Sequence, residues 1–380
     1  MLYFDANATT PCAPEVLEAM RPYWNTSFAN ASSPHRAGRV AAQAVAVARR
    51  AVAECLDARP HEIIFTSGAT ESTNLVFWGL LLAPRTRRHI VVSAIEHKAV
   101  LESAALLEEQ GFEVTRLPVT PDGVVDLNIA ARVITPETAL VSVQAANNEI
   151  GTIQPILHIA RLAHQAGAFF HVDAVQALGK MPVSMLDWEC DFASFSAHKI
   201  YGPKGIGALF VKGGPMRWPW PRPLRGGGQE GGLRPGTLNV PGIVGFGAAC
   251  EMLRQRPADI WENIATLRDL LEKKMAGIYR DDIIIIGNES LRLPNTLTMI
   301  IKNTSAELIL STIKNSILGT SSACMGNSKI TSHVLKALGF TDSVGENVIR
   351  VSLLESTTLD EVTQFANFLQ IAIDTARKMR

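Results

Sequence analysis

"FASFSAHKIYGPKGIGALFV", residues 192–211, decides how the chain is read. The runs 192–196 and 207–211 are short, apolar and free of charge, as buried strands are. Between them, Gly202-Pro203-Lys204-Gly205 forms a turn. His198 and Lys199 therefore stand just past the carboxyl end of a strand, where the chain is about to be buried. A lysine in that position needs a chemical reason.

The surrounding sequence repeats the pattern. "EIIFT" (62–66), "HIVVS" (89–93), "FEVTRL" (112–117), "ALVSV" (139–143) and "FFHVD" (169–173) read as further strands. Helix-length stretches lie between several of them. One opens at Pro155, suited to a first turn, and closes at Gly167; another closes at Gly111. This alternation predicts an α/β fold with a mostly parallel, helix-covered sheet. The texture changes after about residue 250. A helix over 257–277 precedes "DIIIIG" and "NTLTMII", a capping box at Thr304–Glu307, "NVIRVSLL" and a last helix opened by Thr358–Glu361. The expected division is a large domain over 13–255 and a smaller α+β domain over 256–380, joined by residues 1–12. The Pro- and Trp-rich segment 213–228 reads as an irregular surface excursion.

Composition narrows the function. The 380 residues carry 36 basic and 36 acidic side chains and are 47% hydrophobic. That is enough for a large core, and the balanced charge disfavours nucleic acid or an acidic membrane as the main partner. The five cysteines are scattered, with no C-x-x-C pair, so neither a disulfide framework nor a zinc ribbon is expected and the reading is a reducing cytoplasm. The N-terminus lacks the pattern of a signal peptide. The longest apolar run, starting at Leu75, is too short to span a bilayer.

In open α/β sheets ligands sit at the carboxyl ends of the strands. Four such loops carry candidate chemistry besides that of Lys199. Ser67-Gly68-Ala69-Thr70 opens a helix and suits a phosphate or an ordinary cap, with no nucleotide-binding glycine motif or P-loop lysine. His97 is a ligand, an acid or base, or a flat surface for stacking. Asn147, Asn148 and Glu149 follow another strand, where the two amides can hydrogen-bond a ligand or the Asn pair simply makes a turn. His171, Asp173 and Gln176 follow another strand: His-x-Asp is a metal pair without a third ligand, or Asp173 holds a proton on a ring nitrogen, or it caps a helix. Ser196, His198 and Lys199 complete the set. A desolvated lysine forms a Schiff base with an aldehyde. Pyridoxal phosphate needs such a lysine, a phosphate cradle, an acid for its ring nitrogen and a stacking face together, and successive strand ends supply all four.

On these residues the sequence resembles the cysteine desulfurases, within the class V aminotransferase family of fold type I pyridoxal-phosphate enzymes. The resemblance runs through "YFDANATTP", "NASSPHRAGR", "FTSGATESTN", "EHKAV", "NNEIG", "HVDAVQALGK", "FSAHKIYGPKGIGALFV", "GGGQEGGLRPGT", "SSAC" and "IRVSL". It implies Lys199 as the cofactor's covalent anchor, Asp173 as partner of the ring nitrogen and His97 as stacking residue and helper in deprotonating the substrate thiol. It assigns Gln176 and Asn148 to the ring oxygen or substrate, and Ala69, Thr70, Ser196 and His198 to the cofactor's phosphate side. Thr237 would reach the phosphate of a neighbouring subunit, implying a homodimer. Arg350 would bind the carboxylate of L-cysteine, and Cys324 would accept its sulfur as a persulfide, releasing alanine. The polar, small-residue surroundings of Cys324 suit a reactive thiol.

A protein acceptor would follow: an iron–sulfur cluster assembly scaffold, a tRNA-thiolation protein or a DNA-sulfur-modification protein. No metal, direct nucleic-acid contact or membrane is implied. A selenocysteine lyase or another class V aminotransferase shares the scaffold, though an aminotransferase has no use for Cys324. Lys199 and Asp173 argue against a cofactor-free scaffold subunit. The chain departs from the family's usual residues at Glu355 and Gly231, where arginines are common, and at Met325–Asn327.

Overall fold

The computed structural model describes residues 1–84, 86–257, 259–320 and 331–379. Two sheets organise them. The larger comprises β2 (Ile63–Thr66), β3 (His89–Ser93), β4 (Glu113–Leu117), β5 (Thr138–Ser142), β6 (Phe169–Asp173), β7 (Phe192–Ser196) and β8 (Gly207–Val211), in the order β2-β8-β7-β6-β5-β3-β4. Only β8 runs against its neighbours. The carboxyl ends of β2, β3, β5, β6 and β7 therefore share one edge. The fold is the expected α/β class with a mostly parallel sheet.

The strands are uniformly apolar because both faces are covered. Alternate residues feed two cores: Val91, Val141, Ala193 and Phe210 join one, while Ile90, Leu140, Phe192 and Leu209 join the other. On the first face, helix Arg36–Cys55 lies against helix Val240–Arg254. Gly247 permits their close approach, since a Cβ there would stand 2.6 Å from Ala48 Cα. Helices Ala69–Leu82 and Lys98–Glu109 cover the second face.

The smaller sheet has the order β1-β11-β12-β10-β9. Its strands are β1 (Leu2–Phe4), β9 (Ile283–Ile285), β10 (Thr296–Ile301), β11 (Ser316–Thr320) and β12 (Val348–Ser352). The N-terminal strand thus pairs with a late one, in parallel. Phe4 anchors it by stacking on Phe365 of the last helix, ring centroids 4.1 Å apart. That helix, Leu359–Lys378, begins with the expected Thr358–Glu361 capping box. No helix among the described residues is long and apolar enough to cross a membrane.

Several local expectations are corrected. The cap near residue 304 is Ser305, which accepts from Leu308 N–H, because Thr304 is buried and its neighbour has the extended backbone a cap needs. The helix expected over 257–277 is Ile260–Tyr279. Pro155 caps its helix rather than entering it. The segment 213–228 is irregular, but it is no mere surface excursion. Trp218 and Trp220 pack on Phe192 at 5.4 and 5.3 Å and close the second core.

Phe4→Ala should remove the stacked contact that docks β1. The loss is expected to cost about 3–5 kcal/mol, as for other buried aromatic truncations. Thermal and urea unfolding would measure it, and an unchanged midpoint would rule out this anchoring role.

Candidate active site

The shared edge of strand ends brings most of the singled-out residues together. Asp173 ends β6, and Lys199 follows β7, which is the next strand in the sheet. The β2 turn leads into helix Ala69–Leu82, where Ala69 N–H donates to Ser196 Oγ at 2.9 Å. Thr70, one residue further, is exposed with no hydrogen bond from its hydroxyl among the described residues. His97 caps helix Lys98–Glu109, its Nδ1 accepting from Ala99 N–H at 3.1 Å. His97 and Thr70 line the same open cleft of about 400 Å³. Asn147 makes a turn, as its alternative reading allowed: Oδ1 accepts from Glu149 and Ile150 N–H, and Nδ2 donates to Ile95 O. Asn148 offers its carbonyl to Arg350 and Asn7.

The N-terminal segment locks this edge to the smaller sheet. Lys199 Nζ donates to the carbonyls of Asn7 and Ala8 at 2.6 and 2.8 Å. Gln176 Nε2 donates to the same Asn7 carbonyl at 3.0 Å. The Asn7 amide N–H reaches Ser352 Oγ, while Nδ2 donates to Asn148 O and Thr296 Oγ1. Its Oδ1 accepts from Lys180 and Asn295. Thr10 bonds twice to the His198 carbonyl, and His198 Nδ1 pairs with Thr9 Oγ1. Tyr201 holds φ +66°, a conformation rare for a bulky residue, and Thr10 and Ala13 pin its backbone there.

Burial sets the electrostatics. The Asp173 carboxyl is raised by burial, while His97, the Val175 N–H and Lys199 favour its charged form. Val175 N–H occupies Oδ1, leaving Oδ2 without a hydrogen-bond partner among the described residues. His171 is fully buried between Ser142 Oγ and Ser194 Oγ, each at 2.8 Å, and burial lowers its pKa to about 3. It is a neutral structural bridge, which disposes of the metal-pair reading. Burial, Lys199 and Lys204 depress His198 to about 4, so any anion contact uses a neutral ring.

The sequence singles out neither Lys180 nor Glu96, and it does not show that Glu149 is buried. Lys180 is held well below the ordinary lysine range by burial and by the charges of Lys199 and Arg350. Glu96 is pushed well up by burial and by Asp173, and its Oε2 has no hydrogen-bond partner among the described residues. Burial raises Glu149 to about 7 against the pull of Ser332, Arg350 and Lys98. Their burial is not legible in the sequence because it depends on segments distant in the chain, such as Asn7 against Lys180 and Ser332 beside Glu149.

Arg350, from β12, projects into the same region. It donates to Asn148 O at 3.0 Å and to Asp5 Oδ1 at 2.7 Å, and its buried Nε has no hydrogen-bond partner among the described residues. Glu355 pairs with Arg256 at 2.7 Å. Gly231 stands at φ +62°, and a Cβ there would lie 2.5 Å from Pro215 Cγ. This loop is therefore shaped for glycine, whereas the adjacent Glu230 is buried on Arg49 and Phe65 N–H. Thr237 is exposed, without a hydrogen bond to these groups. Cys324 and Met325–Asn327 lie outside the described residues. Of the other cysteines, Cys190 and Cys250 are buried with raised pKa values, which makes them inert.

A class V aminotransferase family model matches residues 2–365. A cysteine desulfurase IscS from Anaeromyxobacter sp. (strain Fw109-5) is 42% identical, over 100% of this chain and 93% of the relative. Among solved structures, a NifS-like protein superposes with a TM-score of 0.89 at 36% identity, covering 98% of each chain. A structure titled SspA in complex with cysteine gives 0.82 at 35% identity, over 94% of this chain and 100% of that one.

The raised Glu149 predicts a pH effect. The folded protein holds the proton that the unfolded chain loses between about pH 4.5 and 7, so this group costs stability as pH rises through that window. Glu149→Gln should gain roughly 2–3 kcal/mol over wild type at pH 8, with the gain vanishing near pH 4.5. Melting of the cofactor-free proteins across that range tests it. A difference that is flat with pH would refute the assignment.

Proposed function

The chain belongs to the class V aminotransferase family and is a cysteine desulfurase, and from that premise we propose which of its residues carry the reaction. Class V aminotransferases and cysteine desulfurases are pyridoxal-phosphate enzymes. The residues present fit that cofactor. Asp173 Oδ2 is available to a ring N–H at the end of β6, and Lys199 stands beside it at the end of β7. That juxtaposition is the observation on which the reading rests. Lys199 anchors the cofactor's aldehyde, His97 faces its ring, and Gln176 and Asn148 serve its oxygen or the substrate. Ala69, Thr70, Ser196 and His198 take its phosphate, joined by the partner subunit's Thr237 in a homodimer. When bound, the cofactor supplies an electron sink for the Cα of L-cysteine.

The protein's own groups do the rest. Arg350, already aligned by Asp5 and Asn148, uses its unpartnered Nε to hold the substrate carboxylate. The Lys199 amine, steadied by two backbone carbonyls, moves the Cα proton. Asp173 keeps the ring nitrogen protonated. His97 accepts the proton of the substrate thiol. The Cys324 thiolate attacks the substrate sulfur: an S–S bond forms, the C–S bond breaks, and alanine leaves after protonation at Cβ. A protein acceptor then takes the sulfur, in iron–sulfur assembly, tRNA thiolation or DNA modification, in the reducing cytoplasm that suits a free thiol. In this reading residues 13–255 bind the cofactor, and 256–380 with 1–12 carry the Cys324 loop.

Quantifying alanine and sulfide from L-cysteine, with borohydride mapping of the cofactor, tests the assignment. A label on Lys199 is expected; on any other lysine it would refute the anchor. Asp173→Asn should retain the visible cofactor band yet lose about 10²-fold or more in turnover, because a neutral amide cannot stabilise the ring's positive charge. Near-normal turnover would count against that role. Cys324→Ser should still respond spectrally to cysteine while making no persulfide, and wild-type alanine production would sink the sulfur-transfer assignment.

A further inference from the structure

Lys180 is 5% exposed and lies one turn beyond Gln176. Among the described residues it has no carboxylate partner, although burying a lysine without one is costly. Its amine instead donates to Gln176 Oε1 at 2.5 Å and to Asn7 Oδ1 at 3.1 Å. An amine that donates must meet an oxygen, so both amides are oriented by it. Gln176 has to turn Nε2 the other way, where it meets the Asn7 carbonyl that also receives Lys199. Asn7 has to turn Nδ2 toward Asn148 and Thr296. Lys180 and Lys199 also line one enclosed cavity of about 10 Å³.

We propose that Lys180 is a positioning residue: through the oxygens of Gln176 and Asn7 it fixes the two amides that set the Gln176 N–H donor and the Lys199 amine at the cofactor site. This rests on the assignment of Lys199 and Gln176 to that site. Lys180 touches neither substrate nor cofactor and acts through its two amides. A packing role alone would leave the orientation of those amides unchanged.

Titration of pyridoxal phosphate into stripped protein, followed by its visible absorbance, tests the idea in a double-mutant cycle. Lys180→Met and Lys180→Leu are both carried, so the cycle survives if one fails to fold. Each is expected to weaken cofactor binding about five- to tenfold, as Gln176→Ala does, with the double variant little worse than either single one. Wild-type affinity in the Lys180 variants, or losses that multiply with Gln176→Ala, would overturn the proposal. Melting of the stripped proteins separates a packing role, which lowers the midpoint and multiplies with Gln176→Ala. Wild type that binds no cofactor, or binds it on another lysine, would instead refute the Lys199 assignment.

Discussion

One asparagine holds the active edge together. Asn7 uses its N–H, its carbonyl and both ends of its amide, bonding to residues from the large sheet's loops and from β10 and β12 of the small sheet. It is 2% exposed, so each bond forms in a medium where an unmade one costs about 1–3 kcal/mol. The segment that carries it is anchored at one end by β1 in the small sheet and at the other by Thr10 and Ala13 on the loop after Lys199. A rigid bridge of this kind lets residues far apart in the chain, Arg350 and Lys199, keep a fixed relation. In the proposed reading the substrate carboxylate and the reactive amine need that relation.

The same burial explains the charges. Lys180, Lys199 and Arg350 bring positive charge to one side of the site, while Asp173, Glu96 and Glu149 crowd the other. Arg350 reaches Asp5, Lys180 donates to the amide oxygens of Gln176 and Asn7, and the contacts of Lys199 include the carbonyls of Asn7 and Ala8.

The strand ends were legible because β-strands this apolar must be covered on both faces, and a parallel sheet then sends its loops to one edge. Lys199, Asp173, Ser196 and His97 could be placed there from sequence alone. Asn7 could not: it lies outside any strand–loop–helix unit and appears only inside the motif "YFDANATTP". Lys180 is not legible in "ALGK" because the residues around it, Asn7 among them, arrive from far away in sequence. His171 was ambiguous for a related reason. The hydroxyls that occupy its ring come from Ser142 and Ser194 on the two flanking strands, which sequence spacing does not bring together. Trp218 and Trp220 were misjudged because prolines signal irregular backbone but say nothing of where the side chains go.

The acidic residue at position 355, where the family resemblance leads one to expect arginine, has its own local logic. Glu355 meets Arg256 in an ion pair, and Arg256 lies over the rings of Tyr201 and Trp261 at 5.3 and 5.9 Å while donating to Gly179 O. Glu355 N–H donates to Tyr201 Oη at 2.8 Å. An arginine at 355 would face Arg256 across a half-buried contact and lose the pair. Glutamate instead completes a clamp around Tyr201, whose left-handed backbone turns the chain away directly after Lys199. The departure is thus a change in how the Lys199 loop is braced from the small-sheet side, and it leaves the lysine's own contacts with Asn7 and Ala8 untouched.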